Sequence, residues 1–187
     1  MGSTSDFRNG AIIKYKGDNC IIVDFQHVKP GKGGAFYQVK MRNMMTGKML
    51  ENRFRSGESV DLVRVERRTY QFLYRDGTNL IFMNNDTYEQ IPVEAEKMGD
   101  QIQFLKESQD CTLSFEDEMV LAAELPPHIN LRVEATEPGF KGDTATNVMK
   151  PATVETGAII QVPLFINEGD LLRVDTSNGS YIERVKG

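Results

Sequence analysis

Residues 70–83 read YQFLYRDGTNLIFM. Two runs of strand-forming residues, 70–74 and 79–83, flank Asp76-Gly77, a strong short-hairpin signal. The same texture recurs along the chain. Residues 11–15 and 20–25 flank Lys16-Gly17-Asp18-Asn19. In 37–42, Tyr37, Val39 and Met41 share one face while Gln38, Lys40 and Arg42 share the other. Thr46-Gly47-Lys48 turns the chain toward 49–54, and Asn178-Gly179 separates 171–175 from 181–185. Pro126-Pro127 breaks the chain before a new alternating run, 130–135, in which Leu131, Val133 and Ala135 share a face. Helical signal is confined to one or two short turns within 87–98, interrupted by Pro92, with Gly99 suited to end them. Many short strands with turn residues between them predict an all-β chain of sandwiches or small barrels. Three stretches, 1–64, 65–126 and 127–187, each read as a β-module of about sixty residues. No fixed-period repeat is present, so a solenoid is excluded.

Composition narrows the classes. The chain has 187 residues with 22 Lys plus Arg against 27 Asp plus Glu, a net charge of −5. Taken whole, that balance argues against a nucleic-acid partner. Split by module it reads differently. Residues 1–64 carry 11 basic and 6 acidic residues, net +5; residues 65–126 are net −8 and residues 127–187 net −2. A basic first module can meet a phosphate backbone while the rest stays acidic, and the same split would also serve attraction between modules. No apolar run approaches the ~18 residues of a membrane span, and no secretory signal opens the chain. Met1-Gly2 hints at myristoylation, but Asp6 stands where the motif needs Ser or Thr. Residues 1–5 read as a natural frayed end or as an appended one. Cys20 and Cys111 lie far apart with no C-x-x-C, as expected in a reducing cytoplasm. His27 and His128 are the only histidines and neither has ligand spacing, so no metal or cofactor is expected. No catalytic triad is in evidence, and no enzyme is expected.

One loop carries chemistry. His27-Val28-Lys29-Pro30-Gly31-Lys32-Gly33-Gly34-Ala35-Phe36 lies between two strand-like runs. Pro30 fixes φ, and Gly31, Gly33 and Gly34 leave no side chains around Lys32. The expected result is a hairpin tip with a protruding ammonium. It is no phosphate-binding P-loop, because Gly33 follows Lys32 where Ser or Thr would hold magnesium and a strand follows instead of a helix. A Schiff-base lysine would want burial that a glycine-rich tip does not offer. On spacing alone, an ordinary flexible hairpin loop remains the competing reading.

The segment Val28-Lys29-Pro30-Gly31-Lys32-Gly33, then Ala35-Phe36, closely resembles the lysine loop of the elongation factor P family, and is similar to the loop of the hypusine-carrying factor of eukaryotes and archaea. A second segment resembles the family's carboxy-terminal signature: Lys150-Pro151-Ala152-Thr153-Val154-Glu155-Thr156-Gly157-Ala158, then Val162-Pro163-Leu164-Phe165-Ile166 and Gly169. Asp6-Phe7-Arg8-Asn9-Gly10, Phe82-Met83-Asn84-Asn85, Glu137-Pro138-Gly139 and Lys141-Gly142-Asp143-Thr144-Ala145 extend the resemblance over nearly the whole chain.

The resemblance implies an SH3-like first barrel over 1–64 and two OB-type barrels over 65–126 and 127–187, in an L-shaped arrangement similar to transfer RNA. It implies a monomeric cytoplasmic factor, with no membrane association. That factor binds the ribosome between the peptidyl and exit sites and relieves stalling at consecutive prolines by positioning the CCA end of peptidyl-tRNA. It places Lys32 at the lysine that many members carry in extended form, supported by Lys29, Pro30, Gly31, Gly33 and Gly34. The extension would come from a lysyl-tRNA-synthetase-like or other modifying enzyme. Gly142, Asp143 and Thr144 match a loop near the exit-site codon, with messenger RNA as a further contact, though an Asp-led turn between strands would account for them equally. Tyr181 and Arg184 match a pair near peptidyl-tRNA, though Tyr181 could equally serve as a strand residue flanking its turn. Lys40, Arg42, Arg53 and Arg55, with Lys29, are the basic residues of the first module suited to RNA backbone; a solvated strand face is their ordinary alternative. Met41, Met44, Met45 and Met49 read as soft core or loop packing. Gly34 departs from the Gln common among lysine-type relatives, which leaves the modifying enzyme open. A family paralogue that binds RNA or ribosomes without aiding peptidyl transfer is the competing reading.

If the acidic residues of 65–126 limit indiscriminate RNA binding, replacing several of them by lysine raises non-specific RNA affinity in a low-salt binding assay. An unchanged affinity would count against that role.

Overall fold

The computed structural model describes residues 1–139 and 148–186. The chain divides into two compact units, one of Met1–Glu66 with Phe115–Leu121 and one of Arg67–Ser114 with Ala122–Gly187. Among the described residues, no helix is long and apolar enough to cross a membrane.

The first unit contains β1 (Gly2–Ser3), β2 (Ile12–Tyr15), β3 (Asp18–Val28), β4 (Phe36–Asn43), β5 (Met49–Arg55) and β6 (Ser59–Val60). Strands β2 to β5 form one antiparallel sheet in chain order, and β1 pairs with β6. The sheet curls shut where Lys14 N donates to Asp61 O at 2.9 Å and Val63 N to Ile12 O at 2.9 Å, around an Ile13–Leu62 bridge. Residues 2–6 are tied in. Ser3 caps the 3-10 turn Thr4–Asp6, with Ser3 N donating to Asp6 Oδ2 at 2.8 Å. The buried Thr4 hydroxyl accepts from Gly57 N and donates to Arg55 O. The core gathers Phe7, Ile13, Cys20, Ile22, Val39, Met41, Phe54 and Val60.

Strand β3 carries a bulge. Ile22 pairs with Met41 and Asp24 with Lys40, which leaves Val23 as the extra residue. The insertion reverses the parity of the strand: Cys20 and Ile22 point inward before it, and Phe25 packs on the core after it. Of Met41, Met44, Met45 and Met49, Met41 is buried in the core, while Met45 and Met49 are exposed around the β4–β5 turn.

The second unit holds two five-stranded sheets, apart from residues 115–121 of the first sheet, which belong to the first unit. The first is built from β7 (Glu66–Asp76), β8 (Asn79–Asn84), β9 (Gln90–Glu94), β10 (Asp110–Glu116) and β11 (Met119–Glu124), in the order β11-β10-β7-β8-β9. The second is built from β12 (His128–Thr136), β13 (Met149–Val154), β14 (Ile159–Pro163), β15 (Leu171–Asp175) and β16 (Ser180–Val185), in the order β14-β13-β12-β15-β16. The hairpins expected at Asp76-Gly77 and Asn178-Gly179 are both present. The turns expected within 87–98 are confined to Ala95–Lys97, followed by a further 3-10 segment, Gly99–Phe104. Residues 90–94 form a strand instead. Pro92 is tolerated there because β9 is an edge strand, where a missing N–H leaves no ladder bond unmade on the open side.

The two sheets of this unit are stitched together. Lys106 Nζ donates to Asn130 O at 2.9 Å and meets Glu155 Oε1 at 3.3 Å. The buried Thr176 hydroxyl lies 2.6 Å from Pro126 O and 3.1 Å from Pro127 O. Gly179 sits so close to the buried Phe104 that an added Cβ would lie 2.8 Å from its ring. Lys150 is buried with its ammonium donating to Glu137 O. Both thiols are buried, and burial pushes the Cys111 pKa up to about 12, reinforced by the neighbouring Asp110 charge.

Gly179 has φ +70° as well as the ring contact. Gly179→Ala combines a left-handed backbone penalty with displacement of a packed phenyl ring. The expected loss is about 2–3 kcal/mol, read as a lower urea midpoint at unchanged m value.

Candidate functional site

The β3–β4 ladder runs without a gap from Asp24↔Lys40 to Val28↔Phe36, and the loop 29–35 closes it. Lys29, Pro30, Gly31, Lys32, Gly33 and Gly34 are all exposed. Gly33 holds φ +109°, a conformation that a side chain would resist. Among the described residues, Lys32 has no hydrogen-bond or ion-pair partner. The ammonium therefore stands in water at the end of a paired arm, free to meet an anion or an enzyme.

The outer face of the sheet beside this arm is basic. Register places Phe36 opposite Arg55, Gln38 opposite Arg53, Lys40 opposite Glu51 and Arg42 opposite Met49. Cross-strand partners share a face, so Lys40, Arg42, Arg53 and Arg55 all stand on the side away from the core. The inner pairs are Tyr37↔Phe54, Val39↔Asn52 and Met41↔Leu50. The four charges are not equivalent. Lys40 Nζ lies 3.8 Å from Glu51 Oε1, and Asp24 is its partner across β3. The Arg53 guanidinium lies 5.2 Å from the Phe36 ring centroid, which fixes its plane while leaving its charge unneutralised. The sequence reading missed this Phe36–Arg53 contact, because it follows from register and not from spacing along the chain.

Tyr181 and Arg184 lie in the second unit. Three positions apart, they would face opposite ways in a regular strand. A bulge leaves Ile182 unpaired between Tyr181↔Val174 and Glu183↔Arg173, and Arg184 pairs with Leu172. Both residues thereby come to one side of the sheet. Arg184 is held 3.7 Å from Asp170 Oδ2 and 5.5 Å from the centroid of the exposed Phe165 ring. Phe165 was not singled out as a site residue. Gly142, Asp143 and Thr144 lie outside the described residues. Among the described residues, no group of His, Cys, Asp and Glu side chains could hold a metal ion.

Residues 3–60 match the elongation factor P KOW-like domain, residues 65–123 the elongation factor P OB domain, and residues 129–184 the elongation factor P C-terminal domain. The chain is 51% identical over 186 residues to elongation factor P of Chloroflexus aggregans, covering 98% of each chain. It is 52% identical over 188 residues to elongation factor P 1 of Porphyromonas gingivalis, covering 100% of each. Among solved structures it is similar in fold to a eukaryotic translation initiation factor 5A from Methanococcus jannaschii. That match has a TM-score of 0.52 at 22% identity and covers 64% of this chain and 86% of that one.

The geometry separates the basic residues into two groups. If these side chains meet RNA backbone, Arg42→Ala and Arg53→Ala each lower affinity for transfer RNA and reduce the slope of log affinity against log salt by about one. Lys40→Ala changes both less, because its ammonium is already shared with Glu51. Filter binding between about 50 and 200 mM salt measures the difference.

Proposed function

The chain belongs to the elongation factor P family of translation elongation factors, which are not enzymes. On that premise we propose that it binds the ribosome between the peptidyl and exit sites and speeds peptide-bond formation where consecutive prolines stall it. The observation that carries this reading is Lys32, unpartnered and exposed at the tip of the β3–β4 arm. Proline is a poor nucleophile at this step, and its ring restricts the nascent chain. A factor that holds the CCA end of peptidyl-tRNA in a reactive position lowers the barrier entropically, without donating or accepting a proton.

In this reading the working modules are 1–64, 65–126 and 127–187. The protein acts in the cytoplasm as a monomer, and its first module meets the peptidyl-tRNA. Lys29, Pro30, Gly31, Gly33 and Gly34 keep the tip open for an enzyme that extends Lys32, of lysyl-tRNA-synthetase-like or other type. An extended cationic arm supplies further donors to phosphate and sugar oxygens. Lys40, Arg42, Arg53 and Arg55 add phosphate contacts behind the tip. Tyr181 and Arg184 contribute a second contact to peptidyl-tRNA, and Gly142, Asp143 and Thr144 approach the messenger RNA in the exit-site region.

Lys32→Ala removes one exposed side chain and leaves the thermal midpoint unchanged. It abolishes relief of stalling on a Pro-Pro-Pro reporter in a reconstituted translation reaction. Wild-type activity from this variant would sink the mechanism and leave a ribosome-binding module that does not aid peptidyl transfer. Intact mass of protein from its native host, with fragmentation to localise any added mass, establishes the chemical state of Lys32.

A further inference from the structure

The base of the Lys32 arm is built from rings. His27 and Tyr37 are cross-strand partners one pair below the last pair of the ladder, Val28↔Phe36. Their rings stack at 4.3 Å between centroids, 4° from parallel. Tyr37 meets Phe7 edge-on at 5.6 Å, and Phe7 meets Phe54 edge-on at 5.4 Å. Phe7 and Phe54 are buried. A continuous run of ring contacts thus leads from the core of the first unit to the foot of the loop. On the opposite face of the same ribbon, Arg53 covers Phe36.

The arm needs such a support. Beyond Ile22, where Ala11 O accepts from Ile22 N, no strand pairs with the outer side of β3 among the described residues. Its last stretch is a sheet edge, and sparsely paired ribbons twist more freely than wide sheets. A change of twist at 24–28 would swing the tip, because the tip lies several residues beyond the last fixed pair. His27 is exposed and takes no part in the core, so burial does not explain its place. Two rings stacked face to face across the ladder resist relative rotation of the strands that carry them.

We propose that the His27–Tyr37 stack is a positioning element that fixes the twist of the β3–β4 arm and so the direction in which Lys32 is presented. This rests on the reading of Lys32 given above. Loss of the stack costs precision at the reacting centre more than affinity for the ribosome, since neither ring lies at the tip. A displacement of the order of 1 Å at such a centre slows reaction by up to about a hundredfold.

The test uses the full chain, with each variant matched to wild type in its mass at Lys32. Maximal rate and half-saturating factor concentration are measured on a Pro-Pro-Pro template. His27→Ala is the main variant because the side chain is exposed and its loss leaves the core whole. The expected result is a maximal rate about tenfold lower at nearly unchanged half-saturation. His27→Phe keeps a flat ring and restores the rate. A second readout is independent of activity: amide heteronuclear NOEs of Gly31, Gly33 and Gly34 fall in His27→Ala, recover in His27→Phe, and stay constant at Val39 and Met41 in both. Full activity and unchanged loop NOEs in His27→Ala, with Lys32→Ala inactive, overturn the stack and leave the lysine reading intact. A rise in half-saturation alone makes His27 a contact residue and also overturns it. An active Lys32→Ala overturns the lysine reading instead, and the NOEs then still decide whether the stack orders the loop.

Discussion

The extra residue at Val23 sets which way every later side chain of β3 points. Side chains alternate along a strand, so a single inserted position exchanges the two faces from that point on. Without it, the inward series Cys20, Ile22 would continue to Asp24, and a carboxylate would enter a core of Val39, Met41 and Phe54. With it, Asp24 pairs outward with Lys40, and Phe25 and His27 join the side that carries Val39 and Tyr37. The run of rings therefore depends on this one backbone irregularity, and the same shift sets Asp24 opposite Lys40 on the outer face. The exposed tip follows as well, because the ladder that reaches Val28↔Phe36 is in register only after the shift.

The same device operates in the second unit. Ile182 is the inserted residue of β16, and its effect is to bring Tyr181 and Arg184 to one side. In both places the strand also serves as a sheet edge, where an extra residue costs little pairing. Further register shifts lie at Leu73 in β7 and at Glu134 in β12, so inserted residues recur in all three modules. Charge follows the same economy. The first module is net positive, with Lys40, Arg42, Arg53 and Arg55 on the outer face of β4 and β5, while net negative charge resides in 65–126.

What was legible in the sequence was what is decided locally. Asp76-Gly77 and Asn178-Gly179 specify their turns through residues within the turn, and both hairpins formed. The lysine loop was legible through its glycines and Pro30, and the family resemblance extended that reading to function. Residues 90–94 were misread because Pro92 weakens a helix and a central strand alike. Only the sheet order shows that β9 is an edge, where the missing donor does not matter. The bulges could not be read, since each is defined by the register of a partner strand. The His27–Tyr37 and Phe36–Arg53 contacts were hidden for the same reason. The basic residues of 40–55 were identified individually, but their division into neutralised and unneutralised charges came from Glu51 and Phe36 across the ladder.

The stitching in the second unit has a consequence for motion. Lys106 reaches Asn130 with its ammonium, Gly179 packs against Phe104, and the Thr176 hydroxyl holds the Pro126-Pro127 connection. Thr176 grips the Pro126-Pro127 connection itself, so the segment that joins the sheets is held by the second sheet at its far turn. Bending at that connection would have to break these bonds along with the Lys106 contact.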